Sequence, residues 1–126
     1  MSVPIKVLLV EDEMLIGMDI AATLEDQSFE VHGPFKSCEE AIRVFESISP
    51  DLGILDVQLQ RGETSEPLAE RFRASGTPFL FLSGTASSAP EIRRFPEAAS
   101  VAKPVDPNSL LSAVQGALAQ PGSKSA

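Results

Sequence analysis

The feature that most constrains this chain is a recurring unit: a short apolar run that closes on a polar or charged residue, followed by a stretch with helical patterning. Ile5-Lys6-Val7-Leu8-Leu9-Val10 runs into Glu11-Asp12-Glu13, Asp51-Leu52-Gly53-Ile54-Leu55 closes on Asp56, Pro78-Phe79-Leu80-Phe81-Leu82 on Ser83, and Ser100-Val101-Ala102 on Lys103. Near-continuous apolar runs of this length are the signature of strands buried on both faces. Glu30 to Phe35 supplies another strand, with Gly33-Pro34 weakening its end.

Helical segments fill the intervals. Met14 to Asp26 is rich in helix formers and places Met14, Met18, Ala21 and Leu24 at helical spacing. Ser37-Cys38-Glu39-Glu40 has the form of a capping box ahead of Ala41, Ile42, Val44 and Phe45. Pro67 suits the first turn of a helix carrying Leu68, Ala69 and Phe72, and Gly76 can close it. Gly84 to Pro96 is poorly patterned, and Pro90 with Pro96 leaves room for one or two helical turns at most. Asp106-Pro107 supplies an N-cap and first-turn proline for Leu110, Leu111, Val114, Ala117 and Leu118. The expected fold is α/β: a doubly wound, five-stranded parallel sheet with helices on both faces and a short or irregular fourth helix. Residues 1–119 form the domain, and 120–126 are expected to be a flexible C-terminal tail.

Composition narrows the function. At 126 residues the chain is the size of one domain, and no apolar run approaches the roughly 18 residues of a membrane span. The N-terminus has no secretory pattern, and the lone cysteine, Cys38, has no internal disulfide partner, so a soluble protein in the cytoplasm is expected. The 18 acidic against 10 basic residues give a formal charge of −8, and Arg93-Arg94 is the only adjacent basic pair, so no nucleic-acid partner is expected. The short polar tail after Ala119 favours a whole single-domain protein whose output is borrowed from a partner.

In parallel sheets with crossover helices, functional groups collect beyond the C-terminal strand ends. That edge presents Glu11, Asp12, Asp56, Ser83 and Lys103. Clustered carboxylates repel one another, and a hard divalent cation such as Mg²⁺ relieves the repulsion through oxygen ligands. A carboxylate can also act as a nucleophile toward phosphorus, while a serine hydroxyl and a lysine ammonium can meet phosphoryl oxygens. Taken singly these residues mean less: Asp12 fits a helix cap equally well, Ser83 a turn residue and Lys103 a solvated cation. His32 has no partner in sequence that suggests a metal pair, and Cys38 reads as a small residue near a helix start.

Over roughly residues 5 to 119 the sequence resembles the response-regulator receiver family, with a CheY-like fold. The segments that carry the resemblance are Val7-Leu8-Leu9-Val10-Glu11-Asp12-Glu13, Pro50-Asp51-Leu52-Gly53-Ile54-Leu55-Asp56, Leu82-Ser83-Gly84 and Lys103-Pro104. The resemblance implies Asp56 as phosphoacceptor, and Mg²⁺ (or Mn²⁺) held by Asp12, Asp56 and the backbone carbonyl of Gln58, with Glu11 acting through metal-bound water. It implies Ser83 and Lys103 as the phosphate-sensing hydroxyl and the lysine, and a cis Lys103-Pro104 bond. It further implies a sensor histidine kinase or histidine phosphotransfer protein as donor and a downstream protein target. No enzyme activity is implied beyond Mg²⁺-dependent self-phosphorylation and autodephosphorylation.

Pro78 to Gly84, with Gly62, also resembles the single-domain branch whose fourth strand ends in Phe-Ala-Thr-Gly and then an aromatic. This chain departs from it: Leu82-Ser83 replaces Ala-Thr, Thr85 and Ala86 stand where the aromatic would fall, and Val101 takes the place of the fifth-strand switch aromatic. Three competing readings share the layered fold or the acids. A flavodoxin-like redox carrier needs a phosphate-cradling loop where Glu11-Asp12-Glu13 stands. A metal-dependent phosphohydrolase needs substrate-pocket elements that are not evident. A phosphorylation-independent interaction module has no need of the full set of acids, hydroxyl and lysine.

Overall fold

The computed structural model describes residues 3–59, 62–84 and 90–119. The elements run β1 (Lys6–Val10), α1 (Met14–Asp26), β2 (Glu30–Phe35), α2 (Cys38–Ile48), β3 (Leu52–Asp56), α3 (Glu66–Ser75), β4 (Phe79–Ser83), α4 (Pro90–Arg94), β5 (Ala99–Ala102) and α5 (Pro107–Leu118). The five strands are all parallel and lie in the order β2-β1-β3-β4-β5. The order reverses between β1 and β3, which is where such sheets open a crevice at their C-terminal edge.

Strand alternation sorts the core into two layers. Leu8, Val10, Leu55, Phe79 and Phe81 point to one face with Phe72 of α3 and Ala41 of α2, while Val7, Leu9, Leu52, Ile54, Leu80 and Leu82 point to the other with Ile20 and Leu24 of α1 and Leu110 and Val114 of α5. The central strands are buried on both faces, which is why they read as unbroken apolar runs.

Local signals set the helix ends. Ser37 accepts a hydrogen bond from the Glu40 backbone N–H at 3.2 Å, and Asp106 Oδ2 accepts one from the Ser109 N–H at 2.9 Å. Gly76 ends α3 in the left-handed conformation, φ 71°, that a side chain would resist. Of the α1 positions read at helical spacing, Leu24 is buried and Ala21 packs against the core, but Met14 and Met18 are 37% and 56% exposed, and the helix buries Gly17 and Ile20 in addition. Gly17 carries no hydrophobic signal, yet a Cβ there would lie 2.5 Å from the Pro34 side chain, so α1 sits on β2 through a residue with no side chain. The poorly patterned stretch holds a five-residue α4, and the expected tail falls outside the described residues.

Gly53 of β3 makes the tightest approach in the aromatic layer. A Cβ there would come within 2.6 Å of the Phe72 ring, itself fully buried and wedged at 4.9 Å from Phe45 and 5.8 Å from Phe79. Gly53→Ala is therefore expected to cost about 1–3 kcal/mol by overpacking. Urea unfolding should show a lower midpoint; an unchanged or higher one would mean that the ring has room to give.

Candidate functional site

Three loops and two strand ends deliver the site residues to one place. Glu11 follows β1 directly, and its backbone N–H donates to Phe35 O at 3.0 Å, which fixes the turn into α1. Its carboxylate is 0% exposed, and Oε2 accepts from the Glu13 N–H at 3.0 Å. Asp56, the last residue of β3, is 4% exposed; its Oδ1 accepts from the Gln58 N–H at 3.3 Å and its Oδ2 from Lys103 Nζ at 2.8 Å.

Lys103 leaves β5 with its N–H donating to Ser83 O at 2.9 Å, so the lysine is held against the end of β4. The bond to Pro104 is cis, as the family resemblance implied. The ammonium also lies 2.7 Å from Glu11 Oε1 and 3.7 Å from Glu13 Oε1. The buried Glu11 Oε1 thus has the Lys103 ammonium as its close partner.

Asp12 does not cap α1: the N-cap is Glu13, which makes no side-chain cap bond. Asp12 is half-buried, and one carboxylate oxygen from each of Glu11, Asp12 and Asp56 can be chosen so that all lie within 4.8 Å of one another. Ser83 is buried at the end of β4, whose neighbour Leu82 pairs with Asp56 across the sheet. Gln58 is exposed on a small antiparallel turn, bridged to Thr64 and closed by Leu59 N–H donating to Glu63 O at 2.8 Å. Its peptide is tied to Asp56 through the N–H already noted.

The electrostatics follow from burial. Burial pushes the Glu11 carboxyl up to about 7, against the lowering pull of Lys103 and of the Glu13 N–H, with the Asp56 charge adding to the rise. Asp56 is raised by the same burial, with Lys103 as the main opposing influence. Burial would lower Lys103, but its contacts with Asp56 and Glu11 outweigh that and hold the ammonium above the ordinary lysine range. Three acids and one ammonium leave two negative charges unbalanced when all are ionised. A divalent cation matches that deficit, and three carboxylates able to bring one oxygen each within 4.8 Å of one another are a fitting set of oxygen ligands for it.

The sequence located the five strand-end residues, and all of them converge. It did not anticipate that Lys103 bonds the acids directly or that Glu13 stands 3.7 Å from the same ammonium. The signal available was the charge excess, which requires a buried counterion.

A parallel sheet of order 2-1-3-4-5, with acids beyond β1 and β3, a hydroxyl ending β4 and a lysine beyond β5, defines a receiver-type signalling module. The family profile for the response regulator receiver domain matches residues 7–115, and the chain belongs to that family, the signalling domain of two-component systems. It is 32% identical over 109 residues to the transcriptional regulatory protein PdtaR of Mycobacterium tuberculosis, covering 86% of this chain and 53% of that protein. With the response regulator protein GraR of Staphylococcus saprophyticus it shares 30% identity over 111 residues, 86% of this chain and 49% of that one. The chain thus spans about half the length of these curated relatives. Among solved structures, the signal receiver domain of a modulated diguanylate cyclase from Desulfovibrio desulfuricans superposes with a TM-score of 0.81 at 26% identity, over 92% of this chain and 94% of that one. No helix among the described residues is long and apolar enough to cross a membrane.

The raised Glu11 pKa has a definite sign for stability. The folded state holds the Glu11 proton more tightly than the unfolded chain, so the penalty for ionising it is absent at acid pH, grows as pH rises from about 4.5, and is complete above about 7. Glu11→Gln removes that penalty. Without added metal the variant should gain on the wild type between pH 5 and pH 8 by on the order of 3 kcal/mol, read as a widening difference in melting temperature. A difference that is flat across this range would contradict a buried, ionising Glu11.

Proposed function

We propose that the domain accepts one phosphoryl group on Asp56 from a phosphohistidine donor and passes the signal on by protein–protein contact. The observation that carries this reading is the Asp56 carboxylate, 4% exposed and held at one oxygen by Lys103 and at the other by the Gln58 N–H. A carboxylate so fixed is oriented for attack, since its two bonds restrict rotation. In the transfer an Asp56 oxygen forms the bond to phosphorus, the donor's N–P bond breaks, and the departing imidazole nitrogen takes a proton.

Asp12, Asp56 and the Gln58 backbone carbonyl are the residues proposed to hold Mg²⁺ or Mn²⁺, with Glu11 contributing its charge through a bound water. When bound, the cation would neutralise phosphoryl oxygens as negative charge gathers on them. Lys103, already poised over Asp56, would turn to one phosphoryl oxygen, and the Ser83 hydroxyl would donate to another. Reversal by water would give slow autodephosphorylation, with no turnover of an outside substrate. A sensor histidine kinase or a histidine phosphotransfer protein is the proposed donor, a downstream protein the target, and the cytoplasm the compartment.

Intact-mass analysis after incubation with acetyl phosphate and Mg²⁺ should show one added phosphoryl group, stable in acid and lost in base. Asp56→Asn should reduce labelling to background, and excess EDTA should do the same to the wild type. Full labelling of Asp56→Asn would reject the acceptor, whereas undiminished labelling in EDTA would reject only the role of the metal.

A second outcome concerns Lys103, whose loss leaves two buried acids without their counterion. Lys103→Ala should be destabilised progressively as pH rises, because without the ammonium the buried acids favour their protonated forms, and should lose about 3 kcal/mol or more near pH 8 without metal. Equal stability of this variant and the wild type at pH 8 would show that the ammonium does not neutralise the acids.

A further inference from the structure

The edge strand β2 carries an irregularity next to the acids. Its pairing with β1 sets Lys6 against Glu30, Val7 against Val31 and Leu8 against His32, and resumes with Val10 opposite Phe35. Leu9 therefore stands against two residues, Gly33 and Pro34, which makes a bulge. Bulges are rare between parallel strands and recur beside functional sites, where they re-aim the chain. Glycine suits the first of the two positions: Gly33 has φ 123°, and a Cβ there would lie 2.3 Å from Leu9 O. Proline suits the second on an edge strand, since it has no N–H to give to a ladder.

The bulge reaches the acids by two routes. Just past it, the Phe35 carbonyl accepts from the Glu11 N–H at 3.0 Å, so the turn into α1 hangs from β2 at the residue after the extra one. Pro34 itself is set against the start of α1. A Cβ on Gly17 would lie 2.5 Å from Pro34 Cβ, 2.6 Å from Pro34 Cγ and 3.5 Å from Glu11 Cβ, so the proline ring and the stem of Glu11 border the same missing side chain. The Gly17 N–H donates to Glu13 O at 2.9 Å, and the Glu13 N–H donates to Glu11 Oε2 at 3.0 Å. Contacts thus run unbroken from Pro34 through Gly17 and Glu13 to the buried Glu11 carboxylate. A close-packed interior transmits displacement, so a change in the gap between Pro34 and α1 shifts Glu11 and the Asp12 that follows it.

We propose that Gly17 and the Gly33-Pro34 bulge are positioning residues for the acid turn. They let α1 close onto Pro34 with no side chain between, and so set how near Glu11 and Asp12 come to Asp56 and how tightly the three acids hold a divalent cation. All three act through Glu11 and Asp12, as the outer contacts of a metal site do. The effect on the cation rests on the reading of Asp12 and Asp56 given above; the placing of Glu11 does not. Gly53 supplies the comparison, because its missing Cβ faces Phe72 at a similar 2.6 Å but in the aromatic layer, away from α1.

The test uses the full chain and two readings: Mg²⁺ affinity by calorimetry at pH 8, and metal-free hydrogen exchange of the Glu11 and Glu13 amides relative to the Leu55 amide of the core. Gly17→Ala forces α1 off Pro34 and should weaken Mg²⁺ binding roughly tenfold. It should also speed both amides relative to Leu55 by roughly tenfold. Pro34→Gly removes both obstructing atoms and leaves a void, so it should weaken Mg²⁺ binding too, by a smaller factor. The double variant places the new methyl in that void and should bind more tightly than either single variant, with its amides slowed again; independent effects would add instead. Gly53→Ala should lose stability while keeping wild-type affinity and wild-type relative exchange. Wild-type affinity in Gly17→Ala, additive losses in the double variant, or an equal loss in Gly53→Ala would each overturn the proposal. If Gly17→Ala does not fold, Pro34→Gly decides alone: weaker Mg²⁺ binding supports the proposal and unchanged binding overturns it. If the wild type binds no Mg²⁺, the cation reading fails, and the amides still judge the positioning. Faster Glu11 and Glu13 exchange in Gly17→Ala, reversed in the double variant, would then support it, and unchanged exchange would overturn it.

Discussion

Two carboxylates almost sealed from water share one lysine, and the rest of the site is arranged around that fact. Glu11 and Asp56 could not both ionise so deep in the fold without a nearby positive charge. Lys103 reaches them because β5 lies two strands from β3, with β4 between, and its own N–H is tied to the end of β4. The 2-1-3-4-5 order and the length of the lysine stem together allow one ammonium to serve both acids. With Asp12 beside them, the fully ionised site is two charges short of neutrality, a condition that a cation and a phosphoryl group would change in opposite senses.

Away from the site the molecule divides its stability unevenly. The layer holding α1 and α5 is packed by aliphatic side chains, and the layer holding α2 and α3 by an aromatic chain from Phe45 through Phe72 and Phe79 to Phe95. That aromatic chain ends where α4 ends. Helix α4, with no buried residue, lies against a sheet whose interior is close-packed. Val101, small and 6% exposed, packs with the opposite layer and has no ring to turn.

Much of this was legible in the sequence because strand burial on both faces leaves uninterrupted apolar runs, and because Ser37, Pro67, Gly76 and Asp106 each carry a local chemistry that ends a helix. The convergence of Glu11, Asp12, Asp56, Ser83 and Lys103 was legible for the same topological reason. What stayed hidden depends on contacts distant in sequence. Of the residues read at helical spacing on α1, Leu24 is buried but Met14 and Met18 are not; the contact with β2 uses Gly17 against Pro34, and a missing side chain leaves no hydrophobic trace. The Arg73–Glu97 ion pair joins residues 24 positions apart and the Arg94–Glu66 pair residues 28 apart, and no periodicity announces either. The pairing of Lys103 with Glu11 was implied only by the excess of negative charge.

The central claim, that a buried acidic cluster balanced by one lysine is built to take a divalent cation, is tested most directly by calorimetric titration of Mg²⁺ at pH 6, 7 and 8. Glu11, raised by burial to about 7, must lose its proton before the cluster carries its full charge. Affinity should therefore climb by up to about tenfold per pH unit below 7 and level off above it, with roughly one proton released per ion bound at pH 6. Saturable binding of equal strength at all three pH values, with no proton release, would contradict it, as would the lack of any saturable binding at pH 8.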